Sequence, residues 1–407
     1  MRRAARRLAA ALAVAAPAVA LVAAPTGTVA VARSAAPVQA APGPVAPPND
    51  VGFSRQWALQ QLGVLSAWAV ADGLGTVIAI VDSGVDLDHE DLRDRRAPSG
   101  HADCVGNNDR PSGCVESPGV DEAGHGTHVA GIALATANNS HGVAGVAPAA
   151  TLLSVRVLDC NESLLPLESC PEGPVGTERD VSDGIRWAAD RGADVINLSL
   201  GNLDPGVDGG RLLVEAINYA WSRGSIPVLV AGSGLVDRLG DAPAVIVSAT
   251  NRSGGLATYP DDDGRNRVGD VADWAVAAPG GEADDRESCE SQQPNGILST
   301  YHDPQHSDVD YACLSGTSMA APHVSGALAL LLSAGLTPQA AVDRLLANAD
   351  DAGAPGRDPE FGVGRVNVAR ATSGLTPVVS PVPTATSPPT EAPLTLAPTT
   401  AAPTTAT

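Results

Sequence analysis

Val77-Ile78-Ala79-Ile80-Val81 is a short, fully apolar run that follows Gly75. A strand of a parallel sheet is covered by helices on both faces, so it appears as a continuous apolar run rather than an alternating one. This run therefore predicts a buried parallel strand. Four later segments have the same character: Leu152 to Leu158, Val195 to Leu200, Ile226 to Val230 and Val245 to Val247.

Amphipathic segments lie between these predicted strands. Arg179 to Arg191 and Arg211 to Arg223 both have helical spacing of their apolar residues. Strict alternation of strand and helix implies right-handed crossovers, and hence an α/β fold with a doubly wound, mostly parallel sheet and helices on both faces. Ligands of such sheets bind at the carboxyl ends of the strands. We therefore expect a single domain whose functional residues follow its strands.

The charge balance excludes several classes of function. The 407 residues contain 25 cationic side chains, all of them arginine, against 46 Asp and Glu, for a formal net charge of -21. The absence of lysine excludes Schiff-base lysines, Ser-Lys dyads and P-loop NTPases. The negative charge repels phosphate backbones and anionic membrane surfaces, so nucleic acid is not an expected partner.

The amino-terminal residues 1–32 have the pattern of a secretory signal peptide. Four arginines precede an apolar run from Leu8 to Ala24, and Ala30-Val31-Ala32 offers a cleavage site with small residues. An uncleaved anchor is the alternative, because the apolar run is close to the length that spans a membrane. The prediction is cleavage and secretion, with no membrane insertion of the exported protein.

Two segments of biased composition flank the predicted globular domain. Residues 33–48 form a short Ala/Pro-rich linker before a globular domain at 49–371. From Ala371 onward, 37 residues contain eight Pro, eleven Thr and a single charge, Glu391. Such a sequence cannot collapse, so residues 372–407 are predicted to be a disordered, extended tail. The tail could tether the domain to a cell wall or cell surface.

Six cysteines in an exported chain point to disulfides rather than to a zinc site, since no pair forms a Cys-x-x-Cys. Fifteen pairings exist in principle. Sequential pairing closes three polar surface loops and is the favoured pattern. It joins Cys104 to Cys114, Cys160 to Cys170 and Cys289 to Cys313.

Three segments carry polar residues where this fold predicts a site. Asp82 ends the first buried strand, His125 opens a small-residue helix that runs to about Ala137, and Ser318 precedes an apolar helix from Val324 to Leu332. Each has an ordinary alternative when taken alone. Asp82 could cap a turn and Ser318 a helix. His125 could pair with His128 on a metal, although no Glu lies between them and no third ligand is evident.

The order Asp, His, Ser with these flanking sequences resembles that of the subtilisin-like serine peptidases, or subtilases. The resemblance extends from Asn49 to about Ala371, and the opening Asn49-Asp50 is similar to the thermitase-like branch. It implies a secreted serine endopeptidase that acts on proteins or peptides. The implied roles are Ser318 as the nucleophile that forms an acyl-enzyme, His125 as general base and acid, and Asp82 as the group that orients it.

The resemblance also implies substrate-binding strands and an oxyanion site. Ser199-Leu200-Gly201 would pair with an extended peptide, and Val230-Ala231-Gly232 would form the opposite wall. The oxyanion donors would be the Ser318 N-H and the residue after Gly232, which is Asn in the family and Ser233 here. Losing such a donor costs roughly 10²–10³ in kcat. The alternative function is therefore a catalytically impaired subtilase that binds peptides or associates with the wall.

A structural Ca²⁺ site is implied as well. Asp50, Asp91 and a loop after the histidine helix match the family's calcium ligands, and hard oxygen donors suit this ion. A simple Asx turn at Asn138-Asn139 is the alternative. The loop ligands would be Ala137, Asn139, His141 and Val143.

Overall fold

A computed structural model of the chain describes residues 45–106, 113–118, 120–160, 175–200, 210–232, 239–259, 266–269, 273–282, 294–303 and 309–378. The predicted signal peptide, most of the linker and most of the Thr/Pro-rich tail lie outside these ranges. Within them, no helix combines the length and the apolar character that a membrane span would need.

Within these ranges, the centre of the fold is an eight-stranded sheet. Its spatial order is β3-β2-β4-β1-β5-β6-β7-β8, and all neighbours are parallel except β2 and β3. An antiparallel pair, β9 and β10, lies apart from it. The strands are β1 (Val77–Asp82), β2 (Ala102–Asp103), β3 (Val115–Glu116), β4 (Thr151–Arg156), β5 (Val195–Leu198), β6 (Ile226–Val230), β7 (Val245–Thr250), β8 (Ala275–Pro279), β9 (Ile297–Thr300) and β10 (Tyr311–Leu314).

Helices cover both faces of this sheet. Apolar residues of α3, α6, α7 and α8 belong to one core, and those of α4 and α5 belong to a second. The predicted α/β fold with a doubly wound, mostly parallel sheet is thereby confirmed. The helices are α1 (Trp57–Leu62), α2 (Val64–Ala67), α3 (His125–Leu134), α4 (Glu178–Asp190), α5 (Arg211–Ser222), α6 (Thr317–Ser333), α7 (Pro338–Ala347) and α8 (Val368–Thr372).

Strand β1 shows why its sequence is apolar throughout. Ile78 and Ile80 pack into the core beneath α3 and α6, while Ala79 and Val81 pack into the core beneath α4 and α5. Successive side chains of a strand point to opposite faces, so both sets are buried. Each large aliphatic side chain contributes roughly 1.5–3 kcal/mol through this burial. The sheet therefore holds the carboxyl end of β1 firmly in place.

Several element ends differ from the sequence prediction. Strand β5 ends at Leu198 rather than Leu200, and α3 ends at Leu134 rather than near Ala137. The helix stops there because Ala135 takes an extended conformation, with φ -50° and ψ 140°. Strand β8 and the β9–β10 pair were not predicted.

One disulfide, Cys104–Cys114, lies within the described residues and agrees with sequential pairing. Cys160 and Cys313 are also disulfide-bonded. Cys170 and Cys289 lie outside the described residues, so the other two pairings stay predictions.

Candidate active site

The fold places Asp82, His125 and Ser318 at the ends of three elements. Asp82 is the last residue of β1, His125 is the first residue of α3, and Ser318 is the second residue of α6. Both helices pack on the same face of the sheet. Functional residues were expected at the carboxyl ends of the parallel strands, and Asp82 lies at such an end.

Asp82 and His125 form a direct hydrogen bond. His125 Nδ1 donates to Asp82 Oδ1 at 2.7 Å, and the backbone N-H of Ser83 donates to the same oxygen at 2.8 Å. Asp82 is fully buried, whereas the His125 side chain is 21% exposed. Burial lowers the pKa of His125, but the charge and hydrogen bond of Asp82 outweigh it, so the pKa is raised. With Nδ1 protonated, Nε2 is left to act as a base.

Ser318 is half-buried at the start of α6. Its hydroxyl donates to the Ser199 carbonyl at 3.4 Å, and within the described residues no hydrogen bond joins it to the His125 ring. Hydrogen bonds between a catalytic serine and histidine often become short only when substrate binds. As the second residue of a helix, Ser318 has a backbone N-H without an intrahelical acceptor. The helix dipole favours negative charge at that position.

A proline inside α6 leaves the Ser318 carbonyl without its usual helical donor, and Ser199, the residue after strand β5, donates to it instead. Pro322 has no N-H, so it cannot donate to the carbonyl of Ser318 four residues earlier. That carbonyl instead accepts from Ser199 Oγ at 2.8 Å, and Ser199 Oγ accepts from Asn197 Nδ2 at 2.9 Å. The predicted substrate residue Ser199 is therefore bonded to the segment that carries Ser318. Asn197 was not predicted to be a site residue, although a polar amide inside an apolar parallel strand is a signal that the sequence offers.

The two predicted substrate walls lie side by side. Strands β5 and β6 are parallel neighbours, with Leu198 opposite Leu229. Ser199 and Leu200 follow the first strand, while Val230 ends the second and continues into Ala231 and Gly232. Gly201 and Ser233 lie outside the described residues.

His128 does not face His125 as a metal pair would require. Its Nε2 lies 3.0 Å from the Ile297 carbonyl and 3.1 Å from the Ala312 carbonyl, so it donates to the β9–β10 pair. Burial lowers the pKa of His128 to about 3, which keeps the ring neutral. This histidine fixes α3 against the β9–β10 pair.

The predicted calcium ligands Asp50, Asp91 and Asn139 converge. Asp50 accepts from the backbone N-H of Asn138 at 2.9 Å and of Asn139 at 3.1 Å. Asp91 accepts from Asn139 Nδ2 at 2.6 Å and from the backbone N-H of Val143 at 2.9 Å. Both carboxyls are buried, and burial together with the repulsion from Asp91 raises the pKa of Asp50 to about 7. A cation between them would relieve this repulsion.

The loop itself supplies oxygen atoms that suit a hard cation. Within the described residues, the carbonyls of Ala137, His141 and Val143 accept no backbone hydrogen bond. In the same part of the chain, no group of three or more His, Cys, Asp or Glu side chains could hold a metal. A cation here would therefore depend on two carboxylates supplemented by carbonyl and amide oxygens, which is a donor set that Ca²⁺ accepts.

The sequence matches a known peptidase family and several known proteases. A model of the subtilase family matches residues 73–364. Thermitase of Thermoactinomyces vulgaris is 40% identical over 294 residues, covering 71% of this chain and 86% of that protein. A thermophilic serine proteinase of a Bacillus species is 37% identical, covering 71% of this chain and 60% of its own length. An extracellular protease of Xanthomonas campestris is 33% identical, covering 74% of this chain and 52% of its own length.

Solved structures of proteases share the fold. A protease of Pseudoalteromonas arctica superimposes with a TM-score of 0.61 at 29% identity, covering 81% of this chain and 99% of that one. Fervidolysin of Fervidobacterium pennivorans, a keratinolytic enzyme related to subtilisin, gives 0.60 at 27% identity, covering 83% and 48%.

Proposed function

The chain belongs to the subtilase family of serine-type endopeptidases, and from that premise we propose that it hydrolyses peptide bonds through an acyl-enzyme on Ser318. His125 is the general base and acid, and Asp82 orients it. The observation that carries this assignment is the 2.7 Å hydrogen bond from His125 Nδ1 to buried Asp82.

The acylation step follows from the protonation state of His125. Its unprotonated Nε2 takes the proton of Ser318 Oγ while that oxygen attacks the substrate carbonyl carbon. Asp82 stabilises the imidazolium that forms. The imidazolium then protonates the leaving amine, the C-N bond breaks, and the acyl group remains as an ester of Ser318. Water, deprotonated by His125, hydrolyses the ester and releases the carboxylic product.

The tetrahedral intermediate carries a negative oxygen that needs donors. The backbone N-H of Ser318, at the start of α6, supplies one. The other proposed donor is the Ser233 hydroxyl. Protein or peptide substrates would bind as an added strand along Ser199 to Gly201, opposite Val230 to Gly232.

The decisive experiment is labelling of the purified protein with a fluorophosphonate, a reagent that phosphonylates the activated serine of serine hydrolases. Wild-type protein should be labelled and Ser318→Ala should not. Absence of labelling in folded wild-type protein would reject the catalytic proposal in favour of a peptide-binding subtilase, the alternative that Ser233 motivates.

Substitution of Ser233 by Asn tests the oxyanion proposal. Asn would add a hydrogen bond to the charge that exists only in the transition state, and such interactions raise kcat rather than lower KM. We expect Ser233→Asn to raise kcat on a peptide amide by at most about 10²-fold, with little change in KM. An unchanged or lower kcat in the folded variant would show that another group already fills the site.

Export and surface association are further parts of the proposal. Residues 1–32 have the composition of a signal peptide, and one relative is an extracellular protease by name. Amino-terminal sequencing of the secreted protein tests the cleavage. Deletion of residues 379–407 tests whether the Thr/Pro-rich tail retains the protein at the cell surface.

A structural calcium ion is proposed at Asp50, Asp91 and the loop of Ala137, Asn139, His141 and Val143. The convergence of two buried, mutually repelling carboxyls supports it. When bound, the ion would neutralise these charges and hold the amino-terminal segment to the loop. It would take no part in peptide hydrolysis.

The calcium proposal predicts a stability effect. Binding to the folded state alone stabilises by about 2.7 kcal/mol when free calcium is 100 times Kd. Calcium should therefore raise the Tm of wild-type protein by several degrees, and Asp91→Ala should remove the rise. Asp88→Ala is the matched control, since Asp88 is nearby but 91% exposed. An identical melting curve of wild-type protein with chelator and with calcium would leave the loop as an ordinary Asx turn.

A further inference from the structure

A second buried carboxylate lies next to the proposed triad. Asp121, four residues before His125, is only 1% exposed. Its Oδ1 accepts from Ser83 Oγ at 2.8 Å and from the backbone N-H groups of Gly124 at 2.9 Å and Ala123 at 3.1 Å. Its Oδ2 accepts from the backbone N-H of Thr127 at 2.8 Å and from the Thr127 hydroxyl at 2.6 Å.

These bonds connect the two segments that carry Asp82 and His125. Ser83 directly follows Asp82, and its hydroxyl also accepts from the backbone N-H of Gly126 at 3.0 Å. The Thr127 hydroxyl accepts from the backbone N-H of Asp86 at 2.9 Å. The loop after β1 and the first turn of α3 are therefore joined both by these direct bonds and by the Asp121 carboxylate, which binds Ser83 and Thr127 at once.

Close backbone contacts surround this carboxylate. A Cβ on Gly126 would collide with the Gly84 carbonyl oxygen, so the two segments touch without a side chain between them. A Cβ on Gly84 would lie 2.5 Å from the carbonyl oxygen of Val120, the residue before Asp121. The three segments therefore pack backbone against backbone next to Asp121.

The chemistry of the five hydrogen bonds requires a carboxylate. All five partners donate, three from backbone N-H groups and two from hydroxyls. An amide in place of the carboxylate would turn its NH₂ group toward Gly124 and Ala123 in one orientation and toward Thr127 in the other. Either orientation sets donor against donor, so Asn cannot reproduce the network.

We propose that Asp121 is a positioning residue for peptide hydrolysis. It holds the segments that carry Asp82 and His125 so that these two side chains stay within hydrogen-bonding distance. Its negative charge favours the imidazolium that forms during acylation. This inference rests on the proposed roles of Ser318, His125 and Asp82. Asp121 acts only through these groups, since its own oxygens are occupied by the network.

The surrounding charges agree with the electrostatic part of this role. Asp82 and Asp121 both raise the pKa of His125, against the opposing effect of burial.

Other titratable groups lie near Asp121. His302 Nδ1 pairs with Asp86 at 3.4 Å. Asp86, and to a smaller extent Asp121, raises the pKa of His302. Burial raises the pKa of Asp121 itself, while the bonds from Thr127 and Ser83 oppose that effect. Glu122, the next residue, is bound by Arg156 at 2.9 Å.

The test is the steady-state kinetics of the purified protein carrying Asp121→Asn. Misplacement of catalytic groups by about 1 Å costs about 10²-fold, so kcat should fall by about that factor with KM little changed. The general base must be neutral, so kcat/KM rises as pH passes upward through the pKa of His125. Removing a nearby negative charge lowers that pKa, and the acid limb of the profile should therefore move to lower pH.

Two further variants separate positioning from stability. Ser83→Ala removes one link but keeps the Asp121 charge, so it should lower kcat without moving the acid limb. Asp194→Asn is the matched control, because Asp194 Oδ2 accepts from the backbone N-H of Val77 at 2.8 Å, at the opposite end of β1. It should leave both kcat and the acid limb unchanged.

The outcomes are distinct. Wild-type kcat and an unmoved acid limb in folded Asp121→Asn would overturn the inference, as would the same losses in Asp194→Asn. If Asp121→Asn does not fold, wild-type kcat in Ser83→Ala overturns it and a lowered kcat supports it. If the wild-type protein shows no Ser318-dependent activity, the proposed function itself is rejected.

Discussion

Ser318→Ala is expected to abolish peptide hydrolysis while leaving the fold intact. The variant removes only the hydroxyl of a half-buried residue, so packing around α6 should persist. Without that oxygen no acyl-enzyme can form. The expected fall in kcat is about 10⁶-fold, the size of loss known for the same kind of triad in a subtilisin. Active-site titration and hydrolysis of a peptide amide measure it.

His125→Ala provides the companion measurement. Since base and nucleophile act as one unit, the double variant Ser318→Ala/His125→Ala should lose no more activity than either single variant. Circular dichroism and melting curves verify that each protein is folded. Activity in Ser318→Ala well above background, with no contaminating protease, would contradict the assignment of the nucleophile.

Asp82→Asn should have a smaller but still large effect, a fall in kcat of about 10⁴-fold. The amide keeps the shape of the side chain but carries no charge to stabilise the imidazolium. The charge of Asp82 is the leading influence that raises the pKa of His125, so the residual activity should extend to lower pH. Kinetics across a pH series measure both effects.

Asp88→Asn is the control for Asp82→Asn, since that exposed carboxyl lies in the loop beyond β1. It should behave as wild type. A loss of less than tenfold in Asp82→Asn would mean that His125 is held and charged by other groups, of which Asp121 is the first to examine.

Apolar periodicity was enough to predict the class of fold. The run from Val77 to Val81 is buried on both faces, as a central parallel strand must be. Strand β8 (Ala275–Pro279) was not predicted, because it is rich in alanine and ends in proline. Alanine favours helices, and both residues are uncommon in strands. The start of α6 at Thr317 was missed because Pro322 lies inside the helix, and its missing hydrogen bond is replaced by one from Ser199.

The triad could be selected by its order and flanking residues, but its supporting contacts could not. Asp121 precedes a helix start, as acidic residues often do, and nothing local marks it as the partner of Ser83 and Thr127. The sequence by itself determined the parallel sheet, the strand that carries Asp82, the helix that begins at His125, and the family. Only the tertiary structure decided that Asp82 bonds His125 and that Asp121 joins their segments, because such contacts arise from packing between residues distant in the chain, whereas local patterns report only which face of an element is buried.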